Sequence, residues 1–407
     1  MHEETTARNR RSPWLLFLVF LRLGLTSFGG PIAHLGYFRE EFVSRRKWLD
    51  DAAYADLVAL CQFLPGPTSS QVGIAVGYLR HGILGSCLSW FAFTLPSAVV
   101  LTVFALIYDD IPGINNATWL HGLKVVAVAV VAQALVGMQK QLCPDLFRRF
   151  LALTAAVLLL LGPALVPGVV MQLGVILAGA LAGFILIDHS KIPGPGSSPL
   201  PSGQSVAPIA LALFVMLLIM LPVAAAGTTL DWVHLADGFY RAGSLVFGGG
   251  HVVLPMLQSE VVPTGWVEQG EFVAGYGAAQ AVPGPLFTFA AYLGAASTLA
   301  SGDIQSILFA LLAVVAIFLP GYLLVIGLLP VWHRFRDVEG VRSALEGVNA
   351  VVVGLLLAAF LDPVIPAAIF SLADAGLALA AFVLLVHFRV PAWAVVIVCA
   401  VTTALLW

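Results

Sequence analysis

The chain has 407 residues, 60% of them apolar and 10% charged, with a mean hydropathy of +0.98 and a net charge of −3. Soluble domains carry about 25% charged residues, so 19 Lys+Arg and 22 Asp+Glu cannot cover a water-facing surface. This composition excludes a cytosolic enzyme, a secreted disulfide scaffold, a disordered chain and a nucleic-acid binder; it leaves a polytopic membrane protein, lying in a lipid bilayer.

From the N-terminus, Arg8, Arg10 and Arg11 precede an apolar run from Pro13. No small-residue cleavage site follows and Arg22 interrupts the run, which reads as an uncleaved first membrane segment. Apolar stretches predict helices near 14–30, 82–108, 117–142, 149–164, 167–187, 207–226, 232–249, 303–329, 341–361, 365–386 and 390–407. Regions 50–80 and 268–300 read as helical hairpins, each split by a Pro-Gly-Pro corner at Pro65-Gly66-Pro67 and Pro283-Gly284-Pro285. Cys61, Cys87, Cys143 and Cys399 are scattered without metal-ligand spacing and read as packing residues. A Pro/Gly/Ser-rich linker over 188–206 separates a first unit, 1–187, from a second, 207–407.

The two units repeat each other. Arg22, Gly24, Phe28, Gly29 and Gly30 recur 219 residues later as Arg241, Gly243, Phe247, Gly248 and Gly249, and Glu41 recurs as Glu260. One residue drops out, and then Trp48, Asp50, Tyr54, Gln62, Pro65, Gly66 and Pro67 meet Trp266, Glu268, Phe272, Gln280, Pro283, Gly284 and Pro285. Leu95-Pro96 meets Leu319-Pro320 farther on. Ordered coincidence at a nearly constant offset signals internal duplication. The stretch 207–226 has no counterpart and reads as a connecting span.

Basic residues sort the topology. If 14–47 and 50–80 each enter and return, 16 of the 19 Lys and Arg fall on one face, and the acidic Glu260, Glu268, Glu271 and Asp303 fall on the other. The expectation is an all-α polytopic protein of about thirteen membrane segments. Its two repeats are inverted and carry broken or re-entrant helices, with the N-terminus cytoplasmic and the C-terminus outside. Inverted repeats with broken helices are the architecture of secondary transporters.

Three basic residues escape that sorting: Arg22, Lys124 and Arg241. Each lies in an apolar helix, where a charge costs about 2.5–3.5 kcal/mol. Arg22 and Arg241 stand six residues before a Phe-Gly-Gly break, which makes them candidate ligands for an anion. Lys124 is set against Glu346 in the other repeat, as an ion pair or as a site. Glycine breaks and Pro-Gly-Pro corners start new helical legs whose N–H groups and dipoles favour anions. Two guanidiniums and four such helix starts would pocket a small oxyanion. The candidate residues are Arg22, Phe28, Gly29, Gly30, Gln62, Pro65, Gly66, Thr68, Ser69 and Ser70 in the first repeat, with Arg241, Gly248, Gly249, Gln280 and Gly284 in the second. In the second repeat Leu286, Phe287, Thr288 and Phe289 replace Thr68, Ser69, Ser70 and Gln71, so the first repeat is expected to supply more contacts. Glu41 and Glu260 read as members of a solvated face, and His34 and His251 as satisfied polar residues. No metal, Walker or nucleophile-elbow motif is present, and no cofactor is expected.

Arg-x-Gly-x-x-x-Phe-Gly-Gly followed by Gln-x-x-Pro-Gly-Pro, occurring twice in order, resembles the long-chain, two-domain form of the chromate ion transporter family. The resemblance covers about 14–390 and is most complete over Arg22–Pro31, Trp48–Asp50 and Gln62–Ser70. It implies a non-enzymatic exporter of chromate across the plasma membrane, driven by membrane potential or proton gradient. Sulfate is the obvious competitor, and a homodimer is left open. The competing reading is an intramembrane lipid-pyrophosphate phosphatase, which also uses inverted re-entrant repeats and an arginine for phosphate. It would need an acid/base Glu or His beside a hydroxyl, and no Glu lies on the leg that carries Ser69 and Ser70.

Overall fold

A computed structural model of the chain describes residues 12–28, 30–110, 118–162, 168–187, 206–247, 252–332 and 339–406. Gly29, Gly248, Gly249, His251 and most of the 188–206 linker lie outside the described residues. Among the described residues every regular element is helical. The first unit runs α1 (Pro13–Thr26), α2 (Gly30–Arg39, continued by a π-helical turn Glu40–Arg45), α3 (Asp51–Phe63), α4 (Thr68–Asp110), α5 (Thr118–Leu142), α6 (Leu146–Leu161) and α7 (Gly168–Leu186). After α8 (Ala207–Ala226) the second runs α9 (Asp231–Leu245), α10 (Val253–Val261), α11 (Gln269–Ala279), α12 (Phe289–Ala295), α13 (Asp303–Leu328), α14 (Glu339–Ala359), α15 (Ile365–Ala368), α16 (Leu372–Val386) and α17 (Ala392–Leu406).

Local chemistry places several of these boundaries. Pro13 occupies a first-turn position that needs no N–H donor. Asp50, Asp145 and Ser371 cap α3, α6 and α16, each accepting a backbone N–H three residues on. The two hairpins expected at 50–80 and 268–300 are present as α3 with the first leg of α4, and as α11 with α12. Although α4 is continuous in outline, His81 and Gly82 leave helical geometry and split it into legs 68–80 and 83–110. Among the described residues five helical stretches are long and apolar enough to cross a bilayer: Thr68–Tyr108, Thr118–Leu142, Ala207–Ala226, Asp303–Val331 and Arg342–Ala368. Pro13–Thr26, Val170–Leu186, Leu286–Ala295, Leu372–Val386 and Ala392–Leu405 are shorter apolar helices. The connecting helix α8 packs on α9 and α13, and Tyr240 anchors it by donating to the Phe214 carbonyl at 2.9 Å.

The units are interlaced rather than side by side. Helix α5 packs on α16 and α17 of the second unit, and α14 packs on α6 and α7 of the first. Both crossings rely on small residues. A methyl on Gly122 would lie 2.6 Å from the Cys399 carbonyl, and one on Gly347 would lie 2.0 Å from the Gly179 carbonyl. Close backbone approach of this kind is what holds membrane helices together. Gly122 and Gly347 are therefore equivalent, and an offset of 225 residues matches Lys124 to Asn349 and His121 to Glu346. The expected Lys124–Glu346 match is corrected accordingly. Glu346 accepts from Arg148 of α6 at 2.8 Å, while His121 meets Asp374 of α16 at 2.6 Å. Both partners sit at the third position after a helix cap, so the two contacts are mates with the acidic and basic residues exchanged between helices.

Candidate functional site

The first break follows from α1 running out of helix at Ser27, whose N–H still donates to the Leu23 carbonyl at 2.8 Å. Gly30 then takes φ +74°, a conformation that side-chain-bearing residues avoid, and α2 starts in a new direction. At the Pro-Gly-Pro corners Gly66 and Gly284 adopt φ +122° and +104°. The N–H groups of the two corner glycines bond across to the other repeat. The Gly66 N–H donates to the Val246 carbonyl at 2.7 Å, and the Gly284 N–H donates to the Ser27 carbonyl at 2.9 Å. Val246 is the counterpart of Ser27, and Gly284 that of Gly66. Each corner thus caps the broken helix of the other repeat, and both breaks meet at one crossing.

Polar side chains collect on the first-repeat side of that crossing. The Ser27 carbonyl also receives His34 Nε2 at 3.1 Å, and His34 Nδ1 lies 3.3 Å from Ser69 Oγ. A carbonyl can only accept, so Nε2 carries a proton and Nδ1 of the neutral ring accepts from Ser69. Ser27, His34, Thr68, Ser69, Ser70, Gln71, Thr94 and Ser97 are all buried. Gln71 reaches back with Nε2 to the Pro65 carbonyl at 2.7 Å. Ser27 Oγ, Ser70 Oγ, Gln71 Oε1 and Thr94 Oγ1 are buried with no hydrogen-bond partner among the described residues, and so is Gln280 Nε2 from the second repeat. Leaving such a group unmade costs about 1–3 kcal/mol. The three hydroxyls and Gln280 Nε2 can donate, and with the first turn of α4, whose N–H groups lack intrahelical acceptors, they form a surface prepared for an acceptor-rich ligand; Gln71 Oε1 can only accept.

The arginines are held elsewhere. Arg22 donates from Nη2 to Glu41 at 2.7 Å, and Arg241 grips Glu260 through Nε at 2.9 Å and Nη2 at 2.7 Å. Both separations are 19 residues, so this pair is a repeated device. The solvated-face reading of Glu41 and Glu260 is corrected: both are buried, because a guanidinium compensates each carboxylate. Of the other expected residues, Phe28 packs against Trp393 at a ring distance of 5.9 Å, and Pro65 is half-buried. Gln62 is exposed, away from the buried group. Chain-order reading missed Thr94 and Ser27. Their signal is that polar residues stand where the second repeat has Phe318 and Val246. Among the described residues no group of His, Cys, Asp and Glu could hold a metal ion.

The model of the chromate transporter family matches residues 14–184 and 233–404, leaving out the linker and α8. The chromate transport protein of Cupriavidus metallidurans is 26% identical over 383 residues, 92% of this chain and 88% of that protein. An uncharacterised transporter of Methanocaldococcus jannaschii is 26% identical over 357 residues, covering 86% and 84%. The chromate transport protein of Pseudomonas aeruginosa is 25% identical over 354 residues, covering 85% and 80%. No solved structure matches the chain. With both repeats matched from the first apolar helix to the last, the chain belongs to the chromate transporter family.

Proposed function

We propose that the protein is a secondary transporter that carries chromate out of the cytoplasm across the plasma membrane, with sulfate as a competing substrate. The observation that carries the reading is the crossing, where two broken helices and two Pro-Gly-Pro corners cap each other reciprocally around buried, unpartnered polar groups. Reciprocal contact between equivalent residues is the pattern of a two-fold axis. Together with the charge sorting it supports inverted repeats of about thirteen segments, with the N-terminus cytoplasmic and the C-terminus outside. On this reading 1–187 and 207–407 are the repeats with their connecting helix, and 188–206 is the linker.

The tetrahedral anion sits at the start of α4. Thr68 and Ser70 face it with hydroxyls, and Thr68, Ser69 and Ser70 with helix-terminal N–H groups; Ser27, Thr94 and Gln280 complete the shell. Gly30, Gly66 and Gly284 let backbone approach; the expected Gly29, Gly248 and Gly249 lie outside the described residues. Neutral donors suit a site that must also release its ligand. For a dianion, an inside-negative potential of about 100 mV favours export by about 4.6 kcal/mol. That corresponds to a gradient of over a thousandfold, at about 1.4 kcal/mol per tenfold, so potential alone suffices. The phosphatase reading is not favoured. The family's curated relatives carry transport names, and His34, the base nearest a serine, is oriented by a backbone carbonyl rather than a carboxylate.

Radiolabelled chromate flux in proteoliposomes tests the proposal. A potential imposed without a pH gradient should sustain transport, and excess sulfate should compete. Flux that vanishes when the pH gradient is collapsed at fixed potential would replace potential-driven export with obligatory proton exchange. No flux under any gradient would overturn the function.

A further inference from the structure

The repeated arginine–glutamate device is unequal in its two copies. In the second repeat every nitrogen of Arg241 is engaged: Nε and Nη2 on Glu260, and Nη1 on Asp237 at 3.1 Å. One cation faces two carboxylates, which leaves one negative charge in excess. In the first repeat the count reverses. Glu41 Oε2 takes Arg22 Nη2 at 2.7 Å and Arg45 Nη1 at 3.2 Å, and Oε1 takes Arg46 Nε at 2.6 Å. Three guanidiniums converge on one carboxylate that is 4% exposed, which leaves two positive charges in excess.

The spare donors are accessible. Arg22 and Arg45 side chains are 50% and 56% exposed, and each spends a single nitrogen on Glu41. Both reach the same carboxylate oxygen, which brings the two half-exposed guanidiniums together. Arg46 is held in place by Trp48, whose ring lies 5.4 Å from it and 4.7 Å from Arg80. Of the nearby acids, Asp51 is taken by Arg39, and Glu40 on the same turn is exposed and joins none of these pairs. A guanidinium presents paired donors that fit two oxygens of a tetrahedral oxyanion.

We propose that Arg22, Arg45 and Arg46 form a receiving site for a tetrahedral dianion at the mouth of the first repeat, where its two charges balance the surplus before it moves to the crossing. The equivalent place in the second repeat, saturated and net negative, does not bind the anion and favours its departure. This inference rests on the transport reading of the crossing and adds a second, outer site to it.

The test measures chromate flux against concentration in proteoliposomes, and binding of labelled chromate to the detergent-solubilised full chain by equilibrium dialysis. Arg45→Gln, and Arg45→Gln with Arg46→Gln, should raise KM about tenfold or more through loss of a charge-assisted contact. The maximal rate should change less than twofold, and Arg45→Lys should restore most of the affinity. Monodisperse elution of each variant shows that it has folded. An unchanged KM in the folded double variant, or a fall in maximal rate at constant KM, would overturn the outer site. Wild-type protein that binds chromate, loses binding in Arg45→Gln and yet shows no flux would overturn the transport reading while leaving the site intact.

Discussion

The first and second repeats share their backbone devices and differ in what hangs on them. Gly24 and Gly243 both bring the end of a broken helix against the leg that carries Pro96 or Pro320; an added methyl would lie 2.6 Å from the Phe93 carbonyl in one case and 2.1 Å from the Ile317 carbonyl in the other. Gly66 and Gly284 make the same crossed hydrogen bond. Yet in the second repeat Phe287 and Phe318 pack with ring centroids 5.7 Å apart, and the equivalent positions in the first are Ser69 and Thr94. Duplication preserved the positions that shape the main chain. Positions that only fill space between those main chains were free to become apolar packing in one copy and a polar lining in the other.

The largest expected effect breaks the feature both repeats share. Gly66→Ala and Gly284→Ala place a side chain at φ +122° and +104°, and the new methyls would meet the Gly321 Cα at 3.3 Å and Ser97 Oγ at 2.8 Å. Backbone strain of about 1–3 kcal/mol at each falls on the contact that closes the crossing. Both variants should lose chromate flux by at least about tenfold, and thermal melting should fall in both. A normal melting curve with normal flux in either would separate that corner from function.

Next come substitutions that should separate stability from transport. Thr94→Val and Ser70→Ala each remove a buried hydroxyl that has no partner among the described residues. Removing an unsatisfied group costs little and can stabilise. Their melting temperatures should hold or rise while flux falls about tenfold. Thr288→Ala, the counterpart of Ser70, removes a hydroxyl that donates to the Pro285 carbonyl at 2.6 Å. That change should lower stability by about 1 kcal/mol and leave flux within twofold.

A smaller effect concerns the interlaced helices. Arg148→Glu and Glu346→Arg each break the ion pair between α6 and α14. Each should destabilise the protein, and the double exchange should recover part of the loss, a coupling of about 0.5–1 kcal/mol for a partly exposed pair. Absence of recovery would mean that this contact does not join the repeats. The smallest effect is expected at Gln62, where exposure on the helix surface makes Gln62→Ala neutral, while Gln280→Ala in the half-buried counterpart, whose Nε2 is buried, should reduce flux two- to fivefold.

What the chain order made legible was the main chain. Glycine and proline report local conformation, so the break at Gly30, the corners at Gly66 and Gly284 and the hairpins around them were readable in advance. Partnership across a break was not. Glu41 looks solvated because its neighbours are polar, and only the return of α2 alongside α1 brings it to Arg22. The recurring 19-residue spacing to Glu260 was the overlooked signal. Nor could the two corners reveal that each caps the other repeat, since a free N–H at a turn carries no record of which carbonyl it will meet. The register of α14 also escaped, because its apolar residues match α5 at several offsets, and close approach at Gly122 and Gly347 settles it.

On the transport reading, both repeats build the crossing while the first repeat lines the anion site. Flux of labelled chromate through Ser70→Ala and Thr288→Ala, measured side by side in proteoliposomes at one imposed potential, tests it most directly. The expected result is about a tenfold loss for Ser70→Ala and a change under twofold for Thr288→Ala; equal losses, or the larger loss in Thr288→Ala, would rule out a site lined by the first repeat.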